Sequence, residues 1–218
     1  MSSETDASVA LPRERSFELA GRDERRTPIQ IVVLAASAGG IAALRRVLGS
    51  LPADLPVPVA IVQHRSTQQP NLIATVLGRW SRLPVRLVPA EGTTVEPGVI
   101  YVAPPDRHLV VAEARSFATF DGQRIRHLRS SANPLFASAA AVHGAGVLAV
   151  VLTGGDSDAT DGVQTVKAAG GTVIVQDPAT CANPGMPTAA VATGVVDLVL
   201  PLDAIGPAIT ELVTRSRA

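Results

Sequence analysis

The 218 residues carry 19 basic and 19 acidic side chains, and this balance excludes a bulk electrostatic attraction to nucleic acid or to an anionic membrane. Aromatic residues make up only 3% of the chain, and small or branched aliphatic residues dominate, as is typical of buried parallel strands. The single Cys181 excludes an internal disulfide, and neither a signal segment nor an apolar run of about 20 residues is found, so we expect a soluble cytoplasmic protein without membrane insertion.

Residues 1–27 are rich in charged residues and serine and lack apolar periodicity, which predicts a flexible N-terminal arm. Residues 28–218 are predicted to form one domain, because a single core fits a chain of this length. This domain begins with a continuous apolar run at residues 29–36, then Gly39 and Gly40, then helically spaced apolar residues. The pattern predicts a strand, a tight turn and a helix.

The same alternation continues along the chain. Further strands are predicted at residues 57–63, 85–90, 98–104, 108–114, 146–152, 172–176 and 195–201. Further helices are predicted at residues 71–80, 133–143, 161–169, 186–193 and from about 203. Residues 116–125 are interpreted as a local excursion. Near-continuous apolar strands that alternate with helices predict a doubly wound, mostly parallel α/β sheet, which is a Rossmann-like three-layer sandwich.

Polar residues directly beyond the buried strands are the first candidates for a site, because ligands of such sheets bind outside the carboxyl ends of the strands. Ser37 follows the first strand, His64 follows the second, and Asp158 lies in the loop after the strand at residues 146–152. All three are predicted to project from the same edge of one sheet.

These residue types suit nucleophilic catalysis. A serine hydroxyl is a weak nucleophile at neutral pH and needs a hydrogen-bonded base, which His64 would supply. An imidazole needs a carboxylate that fixes its tautomer and stabilises its charged form, and we assign that role to Asp158. The backbone amide of Ala38, at the glycine-rich helix entry, would belong to an oxyanion hole.

Each residue also has an interpretation without chemistry. Ser37 alone would more often be the N-cap of the following helix. His64 alone would more often be a strand-end histidine bonded to backbone, and Asp158 would cap a helix or hold a turn. The coincidence of all three residues at strand ends of one sheet favours the catalytic interpretation.

Five segments between residues 29 and 200 match motifs of one family, in the same order along the chain. The segments are LAASAGG, IVQHR, YVAPPDRHL, VVLTGGDSDATDG and QDPATCANPGMPTAA. By these motifs, the chain resembles the catalytic domain of the CheB-like chemotaxis protein-glutamate methylesterases, and residues 28–218 would form that domain.

The resemblance implies that Ser37 is the nucleophile, His64 the base and Asp158 the orienting acid, with the backbone amides of Ala38 and Gly155 as oxyanion donors. The implied reaction is hydrolysis of glutamate γ-methyl esters on the cytoplasmic helices of a methyl-accepting chemotaxis receptor, with glutamine deamidation as a second activity. No cofactor or metal is expected. Because no receiver domain is recognised before residue 28, a separate regulator protein is a further expected partner.

The chain departs from the family pattern at several positions. Ala35, Asp156 and Ala159 replace glycines, Gly155 replaces a methionine, and Asn133 replaces an aspartate. Three of these changes lie in the TGGDSDA loop, so two alternatives stay open. One is a non-catalytic CheB-like regulatory or binding module, and the other is an esterase for other substrates.

Other polar residues are given no role in the chemistry. His108, His127 and His143 lack the mutual spacing of a metal site, so each is expected in a turn or on the surface. Cys181 is expected to be a small buried thiol. Residues 185–187 are expected to shape the rim of the site.

Overall fold

The computed structural model describes residues 27–65, 72–121 and 130–217. The predicted N-terminal arm, apart from residue 27, lies outside the described residues, as does His127.

Ten strands form within the described ranges. They are β1 (Ile31–Ala36), β2 (Val59–Gln63), β3 (Val85–Leu87), β4 (Thr93–Thr94), β5 (Ile100–Val102), β6 (His108–Glu113), β7 (Ser116–Phe120), β8 (Val147–Val151), β9 (Thr172–Gln176) and β10 (Leu198–Leu200). Seven of them build the main sheet in the order β10-β9-β8-β1-β2-β5-β3, and every neighbouring pair is parallel. The predicted doubly wound, mostly parallel sheet is therefore confirmed.

The same ranges contain six α-helices, which cover both faces of the main sheet. They are α1 (Gly40–Ser50), α2 (Ile73–Gly78), α3 (Ala132–His143), α4 (Thr160–Ala168), α5 (Gly185–Ala192) and α6 (Leu202–Arg215). Odd-numbered residues of β1 pack in one apolar cluster with α3, α4 and α5, and even-numbered residues pack in a second cluster with α1, α2 and α6. Because side chains alternate along a strand, β1 supports both outer layers of the sandwich.

No helix among the described residues combines the length and the apolar character that crossing a bilayer requires.

The other three strands form a small antiparallel sheet in the order β4-β7-β6. The segment interpreted as a local excursion contains β7, which pairs with β6 through a short turn. No helix lies between these two strands, so they form a hairpin instead of another strand-helix unit. The hairpin packs on α3, where the amide of Val111 donates to Oγ of Ser138 at 3.0 Å.

The order in which strands are added to the sheet switches from one side of β1 to the other. From β1 the chain continues to β2 on one side, and it later returns through β8 on the other side. Such a switch point opens a crevice at the carboxyl ends of the strands. The loops that follow β1, β2 and β8 meet at this crevice, and they contain Ser37, His64 and Asp158.

Candidate active site

Ser37 is the first residue after β1, and its backbone is held from two sides. Its amide donates to the carbonyl oxygen of Thr153 at 2.9 Å, and its carbonyl accepts the amide of Gly40 at 2.8 Å. The N-cap of α1 is Gly39, and no side chain caps that helix. The Ser37 hydroxyl therefore does not serve as a helix cap, and its side chain lies in the wall of a cleft of about 910 Å³.

The turn between Ser37 and α1 requires glycine at two positions. Gly39 has a φ of 79°, and a Cβ there would lie 2.6 Å from the Cβ of Ala182. A Cβ on Gly40 would lie 2.1 Å from Oε1 of Gln63. The backbone of α1 can thus approach the strand ends closely, and its first turn opens directly beside Ser37.

Gln63 ties the ends of β1 and β2 together, a role that the sequence analysis missed. This buried side chain donates from Nε2 to the carbonyl oxygens of Ser37 and His64, both at 2.8 Å. The only signal in the sequence is a polar residue that ends the apolar run VAIVQ.

His64 and Asp158 are in direct contact, although they are 94 residues apart in the chain. Nε2 of His64 lies 2.7 Å from Oδ2 of Asp158, and their side chains are 6% and 0% exposed. Asp158 also accepts the hydroxyl of Ser131 and the amide of Ala132, both at 2.6 Å. The carboxylate therefore faces three donors and is anchored at the N-terminus of α3, where the helix dipole favours negative charge.

Burial pushes the pKa of Asp158 upward, but the hydrogen bonds from His64, Ala132 and Ser131 outweigh burial and hold the pKa below its ordinary value. The carboxylate is thus ionised at neutral pH although no solvent reaches it. A buried, ionised and fully bonded carboxylate is suited to orient an imidazole and to stabilise its charged form.

A second carboxylate faces the other nitrogen of the ring. Oδ2 of Asp156 lies 3.5 Å from Nδ1 of His64, which is an ion-pair distance and too long for a good hydrogen bond. Burial lowers the pKa of His64, but Asp156 and Asp158 together raise it by more, to about 9. His64 in this state carries a positive charge at neutral pH.

Ser37 and His64 occupy neighbouring positions at one edge of the sheet. Ala36 in β1 is the register partner of Gln63 in β2, so Ser37 and His64 each follow the last paired residue of their strand. The amide of His64 donates to the carbonyl oxygen of Ala36 at 2.9 Å. Within the described residues, the Ser37 hydroxyl makes no hydrogen bond to His64, and the buried Nδ1 has no hydrogen-bond partner.

The predicted oxyanion donors lie on the exposed side of this edge. Ala38 and Gly155 are both exposed, and among the described residues neither amide donates to another protein group. In contrast, the amide of Gly154 is taken by the carbonyl oxygen of Asn183 at 2.9 Å. Both amides are thus free to donate to a ligand, as their predicted role as oxyanion donors requires.

His108 was expected in a turn or on the surface, and that prediction is wrong. Its ring is fully buried at the start of β6, stacks on Phe120 with a centroid distance of 5.0 Å, and accepts the amide of Ser131 at Nδ1, at 3.3 Å. Through Ser131 it supports the residue that bonds Asp158. His143 lies half-buried in the last turn of α3.

Ser131 was also missed by the sequence analysis. It is the N-cap of α3, where its Oγ accepts the amide of Asn133 at 3.2 Å while its hydroxyl donates to Asp158. A serine before a helical run is a recognisable cap signal. Its second partner, the carboxylate, is visible only in three dimensions.

The loop between β8 and α4 rests on the start of α5. The amide of Met186 donates to the carbonyl oxygen of Gly154 at 2.8 Å, and a Cβ on Gly154 would lie 2.1 Å from Sδ of Met186. Met186 and Pro187 are buried and Gly185 is partly buried, so residues 185–187 support this loop of the site.

Two departures from the family pattern have visible effects. Ala159 is the only non-glycine residue with positive φ, at 71°, in the described part of the chain. Asn133 accepts the amide of Gly162 at Oδ1, at 2.8 Å, while its Nδ2 is buried without a partner among the described residues. The loop keeps its glycine-like path at Ala159 at the expense of backbone strain.

Cys181 was expected to be a buried thiol but is only partly buried. Desolvation and the nearby Asp177 raise the pKa of its thiol to about 11. The thiol is therefore protonated at neutral pH and is a poor nucleophile.

The cleft beside Ser37 has a mixed lining. It is bounded by α1, the segment after α2 and the start of α6, and its wall includes Ile41, Trp80 and Leu202. The guanidinium of Arg45 lies over the Trp80 ring, 5.2 Å from its centroid. The cleft thus offers apolar surface and a cation next to the serine.

Comparison with known proteins identifies one family. The family model described as CheB methylesterase matches residues 32–209. The crystal structure of the Thermotoga maritima CheB methylesterase catalytic domain superposes with a TM-score of 0.80 and 34% sequence identity, and the match covers 84% of this chain and 98% of that domain.

Curated relatives are similar over the same region. A protein from Anaeromyxobacter dehalogenans, named protein-glutamate methylesterase/protein-glutamine glutaminase 3, is 45% identical over 177 residues, or 81% of this chain and 52% of the relative. One from Caulobacter vibrioides, with the same name and the number 2, is 43% identical over 188 residues, or 84% of this chain and 54% of the relative. The chain spans about half the length of these relatives. On its fold, its motifs and these matches, the chain belongs to the CheB methylesterase family.

Proposed function

We propose that this protein hydrolyses carboxylic esters through an acyl-enzyme on Ser37, with His64 as base and Asp158 as orienting acid. The observation that supports the proposal best is the buried 2.7 Å contact between His64 and Asp158, one register position from Ser37. A strand-end imidazole with only a structural role would not need an ionised carboxylate beneath it.

In the proposed reaction, His64 in its neutral form accepts the hydroxyl proton of Ser37 at Nδ1 while Oγ attacks the ester carbonyl carbon. Asp158 stabilises the imidazolium that forms, and the amides of Ala38 and Gly155 bind the oxyanion. Collapse of the tetrahedral intermediate breaks the bond to the alkoxy oxygen, which takes the proton from His64 and leaves as the alcohol. Water, activated by the same base, then releases the acid and restores Ser37.

The proposed substrate is the γ-methyl ester of glutamate on the cytoplasmic helices of a chemoreceptor, with methanol as the product. The names of the relatives support this substrate, and also a second reaction in which glutamine releases ammonia. Arg45, above Trp80 on the wall of the cleft, would attract the acidic side chains of such a receptor segment. This substrate would place the protein in the cytoplasm.

Substitution of the nucleophile tests the proposal. We expect Ser37→Ala to lower kcat by about 10⁴- to 10⁶-fold, because the substitution removes the hydroxyl that would form the acyl-enzyme. The measurement is methanol release from membranes that contain methylated chemoreceptor. Ser116→Ala, in β7, is the matched control and should keep the wild-type rate. A Ser37→Ala protein that releases methanol at the wild-type rate would refute the proposal.

One observation favours a non-catalytic regulatory module instead: the Ser37 hydroxyl is not bonded to His64, and Asp156 faces the free ring nitrogen. A fluorophosphonate reagent separates the two functions, because only an activated serine reacts with it. Covalent labelling of Ser37 supports the enzyme, and no labelling supports the module. Labelling without methanol release would indicate an esterase for other substrates.

A further inference from the structure

Two carboxylates from one loop face the two ring nitrogens of His64. Asp158 takes Nε2 at 2.7 Å, so Nδ1 is the only ring nitrogen left for the Ser37 hydroxyl. Oδ2 of Asp156 lies 3.5 Å from that same Nδ1. Asp156 and Ser37 therefore compete for one atom.

We propose that Asp156 is a positioning residue that holds Nδ1 of His64 in the resting site, so that Ser37 is activated only when this carboxylate releases the ring. The proposal rests on the proposed function of Ser37 and His64. It assigns to this chain a restraint that the glycine of the family pattern could not provide.

The position of Asp156 is set by its own loop. Its Oδ1 accepts the amide of Asp158 at 2.8 Å, which directs the other carboxylate oxygen toward the ring. The side chain of Asp156 is 37% exposed, whereas that of Asp158 is fully buried. Asp158 is therefore fixed by its three donors, while Asp156 has solvent beside it and can turn away.

The charges that face His64 among the described residues come from this loop alone. Asp156 and Asp158 are both anionic, and on the far side of Asp158 lie the uncharged donors Ser131 and Ala132. Arg65, the next residue in the chain, directs its guanidinium to the carbonyl oxygen of Ala103 at 3.0 Å. Two carboxylates against one imidazole favour the imidazolium, which cannot accept a proton from Ser37.

The sign of the pH effect follows from the need for a neutral base. Together the two carboxylates raise the pKa of His64 to about 9, so activation of Ser37 should fall as the pH drops below that value. Loss of the Asp156 charge lowers the pKa of His64 and moves this acid limb to lower pH. At pH 7 the rate should rise about tenfold for each unit by which the limb moves.

Two variants separate the effect of the Asp156 charge from the effect of a side chain that occupies the space beside Nδ1 of His64. Asp156→Ala removes both, while Asp156→Asn removes the charge but keeps an amide that can donate to Nδ1. We expect both variants to lower the pKa of His64 and to speed the activation of Ser37 at pH 7. Asp156→Ala should speed it more, because the Asn amide still competes with Ser37 for Nδ1. Asp54→Asn is the control. Asp54 is exposed in the loop before β2, at the amino ends of the strands, whereas the site lies at their carboxyl ends.

Two measurements on the full chain test the proposal. One is the rate of fluorophosphonate labelling of Ser37 between pH 6 and pH 10. The other is the pKa of His64, from an NMR titration of protein with isotope-enriched histidine. The proposal is supported if Asp156→Ala lowers the pKa and speeds labelling at pH 7 while Asp54→Asn changes neither. It is overturned if the pKa of His64 is the same in the wild type and both Asp156 variants, or if labelling of Asp156→Ala is no faster.

The NMR titration does not depend on catalysis. If Ser37 is never labelled but the pKa of His64 falls in both variants, the proposed function fails while the contact between Asp156 and His64 is upheld. If wild-type Ser37 is labelled and the pKa does not move, the role of Asp156 fails while the proposed function stands.

Discussion

The loops after β1 and β8 lead into their helices through the same backbone turn but use different residues. The N-cap of α1 is Gly39, with φ 79° and ψ −5°, and the N-cap of α4 is Ala159, with φ 71° and ψ −11°. Neither N-cap makes a side-chain capping bond. Both helices thus begin at the site from a left-handed residue, which glycine adopts freely and alanine adopts only with strain.

Room for a methyl group explains the difference. A Cβ on Gly39 would lie 2.6 Å from the Cβ of Ala182, whereas the methyl group of Ala159 is fully buried in the apolar cluster beneath α3, α4 and α5. At Ala159 the burial of a methyl group offsets part of the strain. Both loops need a left-handed residue before the helix begins. The local packing decides whether that residue can be alanine or must be glycine.

The two loops also differ in charge. The loop after β1 supplies the uncharged hydroxyl of Ser37, while the loop after β8 supplies both carboxylates that face His64. The electrostatics of the site are therefore set by the second loop. Substitutions of Asp156 or Asp158 in this loop should change the charge at His64. Apart from Ser37, substitutions in the first loop should change the geometry.

After Ser37→Ala, the largest effect on catalysis is expected at Asp158. Asp158→Asn should lower kcat/KM for methanol release by about 10³- to 10⁴-fold, because an amide in place of the carboxylate favours the wrong imidazole tautomer and loses the charge that stabilises the imidazolium. Thermal unfolding of the variant shows whether the fold is retained. Asp54→Asn serves as the control, and a folded Asp158→Asn protein within fivefold of the wild-type rate would remove Asp158 from the mechanism.

The next effect concerns the geometry of the first loop. Gly39→Ala should lower the free energy of unfolding by about 2–4 kcal/mol, because a left-handed alanine is strained and its Cβ also overlaps Ala182. Urea denaturation measures the change. Gly194→Ala is the matched control, since Gly194 has a φ of +74° and nothing lies within 4 Å of an added Cβ.

Gly194→Ala should therefore cost only the backbone strain, about 1 kcal/mol. If the two substitutions have equal effects, the packing of Gly39 against Ala182 contributes nothing, and room for a methyl group does not distinguish the two loops.

The main sheet and the location of the site could be predicted from the sequence because both depend on local patterns. Continuous apolar runs predicted β1 and β8, and the helix predicted at residues 133–143 ends at the same residue as α3. The rule that sites lie beyond strand ends was enough to select Ser37, His64 and Asp158.

The support around the site could not be predicted, because it depends on contacts between distant residues. Ser131 bonds a carboxylate 27 residues away, and the amide that His108 accepts belongs to a residue 23 positions further along the chain. In the sequence, His108 is only a histidine at the start of a short apolar strand, which does not indicate the residues that pack around its ring. The departure of β6 from the main sheet was missed for a similar reason, since apolar runs do not specify their pairing partners, whereas β7 lies in the segment interpreted as a local excursion.

The smallest effect is expected where the two loops differ in residue type. Ala159→Gly relieves about 1–2 kcal/mol of left-handed strain but loses a buried methyl group and adds backbone freedom to the unfolded chain. These contributions nearly cancel, so the free energy of unfolding should change by less than about 1 kcal/mol. Urea denaturation provides the measurement.

Ala103→Gly, in the loop after β5, is the control for this substitution. Ala103 is equally buried, at 3% exposure, but its φ is not positive, so its replacement has the same losses without any relief of strain. We expect Ala103→Gly to destabilise the protein by about 1–2 kcal/mol more than Ala159→Gly. Equal destabilisation by the two substitutions would mean that Ala159 stores no strain, and that the loop after β8 follows its path as freely as the loop after β1.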